Sequence, residues 1–342
     1  MGSVKDLKIL EKPSTEKMGK GRFIFSDRYS VFDWGEMPDT ISGKGAATAI
    51  LGAYFFERLQ EMGIPTHYLG LVENGIPKRL DQLDEPSDTM EIELLRVIHP
   101  GQKDDGYDYS AYLSERTTFL IPLEIIYRNS LPPGSSVFRR LEEKSITPED
   151  LGLDSMPAPG SRLDPPILDV STKLEITDRY ITWEEAGKIS GLDRRELKTL
   201  KDLTLRVNDL ITKDYAGIGL VNEDGKVETG FDNERRIMLV DVLGTLDECR
   251  FTLHGLPVSK EIARIHYRKT PWFRSVNDAK KRNRKNWKEI CETTPDPLPP
   301  RLKELISRVY LSCTNEITGR EWFGGVPPLN ETMKEIKGFL TP

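Results

Sequence analysis

The chain has 342 residues and a formal net charge of −6, and 37% of its residues are hydrophobic while 30% are charged. This balance is typical of a soluble globular protein of about two domains, and it argues against a surface built as a whole for nucleic acid. The three cysteines and four histidines show neither disulfide-framework nor zinc-site spacing. No apolar run could span a membrane and the N-terminus lacks the apolar core of a signal peptide, so a cytoplasmic protein is expected.

The first elements predicted along the chain are a β-hairpin and a helix. Residues 7–10 alternate like a strand, and residues 22–25 form a second β-favouring run after a segment that contains proline and glycine. Apolar residues then recur at helical spacing over residues 46–62, and Gly63 follows as a C-terminal stop.

The junction before this helix, Ser42-Gly43-Lys44-Gly45, is a candidate anion site. Two glycines allow close approach of a ligand, the first helical turn has unpaired N–H groups, and Lys44 adds a positive charge. This chemistry suits a phosphate or a carboxylate. The alternative is a tight turn with a solvated lysine, because the segment does not complete a phosphate-loop motif.

Two further strands are predicted at residues 67–72 and 90–98. The polar, glycine-containing residues 100–118 are then predicted to form an exposed insertion.

A second candidate anion site follows at residues 119–141. Residues 119–127 form a nearly continuous apolar run, which predicts a buried strand with Arg128 at its end. A Pro-Gly-Ser turn comes next, and Arg139 and Arg140 open the following element. Guanidinium groups bind phosphates and carboxylates bidentately, so this arrangement predicts an anion clamp. Ordinary surface ion pairs are the alternative.

The remaining segments complete a mixed α and β pattern. Residues 147–166 read as a connecting loop, a helix over residues 193–209 carries leucines on one face, and residues 301–311 read as a final long helix.

Two acidic residues are predicted to meet on a later hairpin. A first arm carries Glu228, and a second, over residues 236–241, ends at Asp241. A carboxylate pair beside phosphates is a common way to hold Mg²⁺. Acids at strand ends are also frequent without any metal.

Five motifs in this order resemble those of SAICAR synthetases, the phosphoribosylaminoimidazole-succinocarboxamide synthases of purine biosynthesis. They cover roughly residues 30–260. The matching residues are Ser30-x-Phe32-Asp33 with Pro38-Asp39 and Ile41-Ser42-Gly43-Lys44-Gly45; Glu124, Arg128-Asn129 and Gly134-Ser135; Ser171-Thr172-Lys173 and Asp178; Lys226-Val227-Glu228-Thr229-Gly230; and Asp241, Asp247 and Arg250.

This resemblance implies an α+β fold of the SAICAR synthase type. Residues 1–122 would form an N-terminal antiparallel-sheet domain with a lid over ATP, and residues 123–342 a second α+β domain with substrate and metal groups and a divergent helical tail.

The resemblance also implies roles for individual residues. The predicted groups are catalytic Lys173 and Asp247; substrate-binding Asp33, Lys44, Arg128, Ser135, Asp178 and Arg250; ATP-binding Lys5, Lys8 and Lys226; and metal-binding Glu228 and Asp241. The family's usual lid motif is replaced here, and Lys5 and Lys8 are predicted to take its place.

The implied activity is an ATP-dependent ligation that joins carboxyaminoimidazole ribonucleotide to L-aspartate, with Mg²⁺ on the ATP phosphates and neither nucleic acid nor membrane as a partner. The sequence leaves the oligomeric state open, and a homo-oligomer is compatible with it.

Two alternative functions remain. One is another ATP-dependent ligase or kinase on the same scaffold. The other is a non-catalytic nucleotide- or RNA-binding protein that uses the basic run at residues 279–288.

Overall fold

The computed structural model describes residues 4–104, 106–258, 260–283 and 286–340. Its first sheet is antiparallel, with the strand order β1-β2-β5-β3-β4. The predicted hairpin and the two later strands are confirmed. The strands are β1 (Lys5–Glu11), β2 (Gly19–Phe25), β3 (Tyr68–Glu73), β4 (Ile76–Lys78) and β5 (Thr89–Leu94).

A second antiparallel sheet carries most of the candidate site residues. Its strand order is β13-β12-β10-β8-β9, and β11 pairs with β10. The strands are β8 (Phe119–Leu131), β9 (Ser161–Thr172), β10 (Val221–Phe231), β11 (Ile237–Val240), β12 (Cys249–Leu253) and β13 (Leu256–Pro257). A separate small hairpin is formed by β6 (Gly101–Lys103) and β7 (Gly106–Asp108).

Nine helices complete the described part of the chain. They are α1 (Lys44–Glu61), α2 (Ser110–Ser114), α3 (Ser136–Glu142), α4 (Trp183–Ser190), α5 (Arg194–Ala216), α6 (Glu261–Arg268), α7 (Pro271–Arg282), α8 (Pro300–Thr318) and α9 (Leu329–Leu340), with short 3₁₀ turns at Leu80–Gln82 and Glu149–Leu151. No helix in the described ranges is long and apolar enough to cross a membrane.

One hydrophobic core joins the two sheets. The same buried cluster contains Phe56 of α1, Ile125 of β8, Ile211 of α5 and Val309 of α8. Helix α8 also returns to the N-terminal part, where the Ser307 hydroxyl donates a 2.6 Å hydrogen bond to the Ser42 carbonyl. The division of the chain near residue 122 stays a prediction, although the second sheet does begin close to it, at Phe119.

Four sequence expectations differ from the structure. The connecting loop expected over residues 147–166 ends earlier, because β9 begins at Ser161, and α8 is not the final helix, because α9 follows it. The insertion at residues 100–118 is not simply an exposed loop, because it forms β6, β7 and α2 and buries Tyr109 and Tyr112 in the core. The strand expected to end before Arg128 continues to Leu131. Arg128 is therefore an interior strand residue, only 2% exposed.

Candidate active site

One large cleft, of about 1590 Å³, lies beside the second sheet. Side chains from β8, β10 and β12 form one wall, and residues from α3, α6 and α7 form others. Six of the thirteen residues predicted for the site line this cleft: Asp33, Arg128, Asp178, Lys226, Asp247 and Arg250.

The charged wall of the cleft follows from the alternation of side chains along strands. Asp224, Lys226 and Glu228 are two residues apart on β10, so all three point to the same face of the sheet. The strand register places Asp224 opposite Arg128 on β8 and opposite Arg250 on β12. Cross-strand neighbours on one face are close enough to form ion pairs.

An arginine cluster results, which we define as Arg128, Arg140 and Arg250 with the carboxylates of Asp169 and Asp224. Arg128 Nη2 lies 3.2 Å from Asp169 Oδ2, and its Nη1 lies 3.4 Å from Asp224 Oδ2. Arg250 Nε donates to Asp224 Oδ1 at 2.7 Å, and Arg140 pairs with Asp169. Three cations against two carboxylates leave an excess positive charge at the cleft, which suits a phosphate group.

The structure separates the roles of the two serines in the neighbouring turn. Ser135 is buried, and its Oγ accepts a 3.4 Å hydrogen bond from the Val137 amide as the N-cap of α3. Ser136 lines the cleft instead, and its Oγ lies within hydrogen-bonding distance of Arg128 and of the Tyr180 hydroxyl. The serine that lines the cleft is thus Ser136, whereas Ser135 caps the helix.

A lysine cluster lies along the same face, which we define as Lys173 and Lys226 with Glu124, Glu228 and Glu248. Lys173 Nζ is 2.7 Å from Glu228 Oε1, and Lys226 Nζ is 2.9 Å from Glu124 Oε1 and 3.3 Å from Glu248 Oε2. Burial alone would lower the pKa of Lys226, but the surrounding carboxylates outweigh it and raise that pKa. The ammonium groups of Lys173 and Lys226 therefore stay charged. Of the two, Lys226 lines the cleft, where an anionic ligand can contact it.

The two predicted metal ligands are neighbours on the β10–β11 hairpin, where Glu228 is opposite Val240 and Asp241 follows. Burial and the Asp241 carboxylate raise the pKa of Glu228 to about 7. Burial opposes ionisation of Asp241, but Lys5 and Lys226 outweigh it and hold the pKa of that carboxyl below its usual range. Two closely placed carboxylates fit Mg²⁺ that is shared with phosphates. In the described part of the chain, no group of three or more His, Cys, Asp or Glu side chains could hold a metal ion. An ion at Glu228 and Asp241 would therefore need the phosphates as further ligands.

The two lysines predicted to cover ATP do not share a face of β1. Lys5 pairs with Asp241 and lies 4.7 Å from the centre of the Phe23 ring, whereas Lys8 is exposed. They are three residues apart, so the alternation of the strand directs them to opposite faces. Lys5 remains a candidate for phosphate contact, and Lys8 is not brought to the same place.

Lys44 and Asp247 form a buried ion pair that links α1 to the cleft. Lys44 Nζ lies 2.5 Å from Asp247 Oδ2, and the Tyr310 hydroxyl donates to Asp247 Oδ1 at 2.7 Å. Lys44 is only 1% exposed and does not line the cleft, whereas its partner Asp247 does. Burial opposes ionisation of Asp247, but Lys44 and Lys260 lower its pKa to about 2.

Two other acids reach the cleft from its edges. Partial burial and the Glu124 carboxylate raise the pKa of Asp178 to about 6. Asp33 is 85% exposed at the mouth of the cleft, where its Oδ2 lies 2.8 Å from Lys280 Nζ.

Several cleft residues lay outside the sequence prediction: Ser136, Tyr180, Asp224, Lys260, Lys280 and Trp287. For Asp224 a signal was present, because it alternates with Lys226 and Glu228 in the sequence. Lys280 and Trp287 belong to the basic run of residues 279–288, which the sequence connects only with the non-catalytic binding alternative. Arg284 and Lys285 of that run lie outside the described residues.

We expect Asp247→Asn to lower the free energy of unfolding by about 3–5 kcal/mol at pH 7, because it leaves the Lys44 ammonium buried without a counter-charge. Urea unfolding measures this change. Asp202→Asn is the control: Asp202 and its partner Lys198 are 56% and 77% exposed, so this variant should lose about 1 kcal/mol or less.

The same pair predicts a pH dependence. The pKa of Asp247 is lowered to about 2 from an ordinary value of 3.8, so its contribution to stability is present above pH 3.8 and is lost as the pH falls through 2. The stability difference between the wild type and Asp247→Asn should narrow between pH 4 and pH 2. A difference that stayed constant over this range would contradict the ion pair.

Comparison with known proteins agrees with this architecture. The family model described as SAICAR synthetase matches residues 8–271. The putative phosphoribosylaminoimidazole-succinocarboxamide synthase of Archaeoglobus fulgidus is 49% identical over 340 residues, which is 99% of this chain and 100% of that protein. The corresponding synthase of Thermoplasma acidophilum is 31% identical and covers 88% of this chain and 93% of its own length.

Solved structures share the fold. A SAICAR synthetase in complex with ADP has a TM-score of 0.60 at 22% identity and covers 94% of this chain and 97% of its own. The SAICAR synthase of Saccharomyces cerevisiae, complexed with SAICAR, has a TM-score of 0.62 at 19% identity, with 94% of both chains covered. Because the family model spans most of the chain and a close relative matches nearly all of it, this protein belongs to the SAICAR synthetase family.

Proposed function

We propose that the protein joins the carboxylate of carboxyaminoimidazole ribonucleotide to the amine of L-aspartate, with ATP converted to ADP and phosphate. The observation that carries this assignment is the large cleft, where a positively charged arginine cluster lies on the same sheet face as the lysine cluster. Membership of the family supports it. L-aspartate as the acceptor and a cytoplasmic location are parts of this proposal.

The chemistry requires activation of a carboxylate. A carboxylate oxygen attacks the γ-phosphorus of ATP, ADP leaves, and the resulting acyl phosphate is attacked by the amine nitrogen of aspartate. The C–N bond forms as the C–O bond to phosphate breaks, and the amine releases its proton. No covalent protein intermediate is needed, so positioning and charge neutralisation supply most of the rate.

The arginine cluster is suited to the phosphate of the ribonucleotide. Arg250 is held by Asp224, and its side chain is 30% exposed, so part of its guanidinium is available to a ligand. Ser136 and Tyr180 add hydroxyl groups to the same wall. Arg128 is 2% exposed and bonds four protein side chains, so it positions Asp169 and Asp224 as much as it offers its own charge.

The lysine cluster is suited to the transferring phosphoryl group. Lys173 and Lys226 stay charged, and their carboxylate partners hold them in place along the strand. Glu228 and Asp241 would hold Mg²⁺, which when bound neutralises charge on the ATP phosphates. Lys5, paired with Asp241, lies on the strand that would cover them.

The RNA-binding alternative is less favoured by the geometry. In the described part of the basic run, Lys280 Nζ bonds Asp33 and lies 4.6 Å from the Trp287 ring centre. Lys280 and Trp287 thus line the cleft and contact each other, so these two side chains are not part of a free basic face.

Turnover with each component omitted in turn tests the proposed activity. ADP formation should require the ribonucleotide, aspartate and Mg²⁺ together. ADP formation that continued without aspartate would indicate another acceptor or a kinase, and salt-sensitive RNA binding without turnover would indicate the non-catalytic alternative.

We expect Arg250→Lys to raise the KM for the ribonucleotide about tenfold or more, because lysine cannot keep the bidentate contact to Asp224 while it also bonds a ligand. The KM for ATP should change little. Arg235→Lys is the matched control, because Arg235 pairs with Glu196 at a similar exposure, 27%, and is not among the cleft residues. Equal effects of the two variants on the KM for the ribonucleotide would contradict the assignment of Arg250 to the ribonucleotide site.

We expect Glu228→Gln and Asp241→Asn each to raise the Mg²⁺ concentration needed for half-maximal turnover, because each removes an anionic ligand without changing shape. Glu91→Gln is the control, because Glu91 is a buried carboxylate that is paired with Arg22 on the first sheet. An unchanged Mg²⁺ requirement in both site variants would contradict the metal assignment.

A further inference from the structure

A strained turn stands at the mouth of the cleft. The Trp34 amide donates a 3.1 Å hydrogen bond to the Val31 carbonyl, which closes a four-residue turn. Its two central residues, Phe32 and Asp33, have φ of 55° and 61°. Positive φ at both central positions is typical of type I′ turns, which favour glycine and asparagine. A phenylalanine in this conformation needs support from its surroundings.

That support comes from aromatic residues of α7 and of the segment that follows it. The Phe32 ring centre lies 4.6 Å from that of Phe273, and the Trp34 ring centre lies 5.5 Å from that of Trp272, both on α7. Trp34 also packs against Trp287, with 5.9 Å between the ring centres. The turn is therefore fixed on both sides of Asp33 by aromatic residues of this tail.

Lys280 of α7 provides the polar part of the support. Its Nζ donates to the Phe32 carbonyl at 2.9 Å and to Asp33 Oδ2 at 2.8 Å. The same ammonium lies 4.6 Å from the Trp287 ring centre. One lysine thus bonds both the strained backbone and the carboxylate that this backbone presents.

These contacts distinguish Lys280 from an ordinary surface ion-pair partner. An exposed lysine–carboxylate pair contributes little, because both side chains lose rotamer freedom when they meet. Here the lysine is 31% exposed and is held between Trp287 and a fixed backbone carbonyl, so part of that freedom is already lost. Asp33, at 85% exposure, would otherwise be free to turn into solvent.

We propose that Lys280 is a positioning residue, which holds the turn of residues 31–34 so that the Asp33 carboxylate faces a substrate in the cleft. The inference deepens the proposed function and depends on it, because the predicted substrate contact of Asp33 is the purpose of the arrangement. It gives the tail after residue 260 a role in the active site.

A double-mutant cycle tests the coupling. Lys280→Met and Asp33→Asn should each raise the KM for carboxyaminoimidazole ribonucleotide about fivefold, with little change in the KM for ATP, and the double variant should be no worse than either single one. Lys280→Arg should restore most of the loss, because a guanidinium can reach both acceptors. Lys198→Met is the control and should be neutral, since Lys198 is a 77% exposed lysine on α5 and is not among the cleft residues.

Hydrogen exchange at the Trp34 amide gives a readout that does not depend on turnover. Exchange should be faster in Lys280→Met than in the wild type and the Lys198→Met control, because the turn opens more often. Additive effects on KM, or unchanged exchange at Trp34, would overturn the positioning role. Wild-type turnover that does not need the ribonucleotide and aspartate would instead overturn the proposed function and leave the exchange result unaffected.

Discussion

The structure depends on the cost of burying charge along one face of its second sheet. An ionised side chain that leaves water must find a counter-charge and hydrogen bonds, because burial strongly disfavours an isolated charge. Asp224 meets this requirement for Arg128 and Arg250, and Glu124 meets it for Lys173 and Lys226. The protein thus holds the groups proposed to bind anions in place without a ligand, and such preorganisation favours catalysis by charge neutralisation.

The same constraint ties distant parts of the chain to the cleft. Lys44, at the start of α1, is neutralised by Asp247, which Tyr310 of α8 also bonds. A Gly-Lys-Gly junction that reads as an anion site in the sequence therefore forms a buried internal contact. Lys260 joins them by donating a 2.6 Å hydrogen bond to the Asp247 carbonyl. Helix α1, helix α8 and the wall of the cleft are in this way coupled at one carboxylate.

Much of the fold and part of the site could be predicted without coordinates. The first hairpin, α1 and α8 follow from local periodicity, which is strong in long amphipathic segments. The Glu228 and Asp241 arms were predicted as a hairpin, and they are one. The motif predicted Ser135 as the substrate-binding serine, but Ser136 is the one that lines the cleft, because the N-cap geometry of α3 shows that the Ser135 hydroxyl is already used. Arg128 was misplaced because strand ends are weakly specified by apolar runs.

The sequence by itself determined the residue types, their alternation and the order of the motifs, since these depend only on neighbours along the chain. Tertiary structure alone decided which charges meet. Strand register set Asp224 between Arg128 and Arg250, which lie 96 and 26 residues away along the chain. It also brought Lys280 back to Asp33 across 247 residues. Such pairings arise from the closure of long loops and the packing of whole elements, and local propensity carries no information about either.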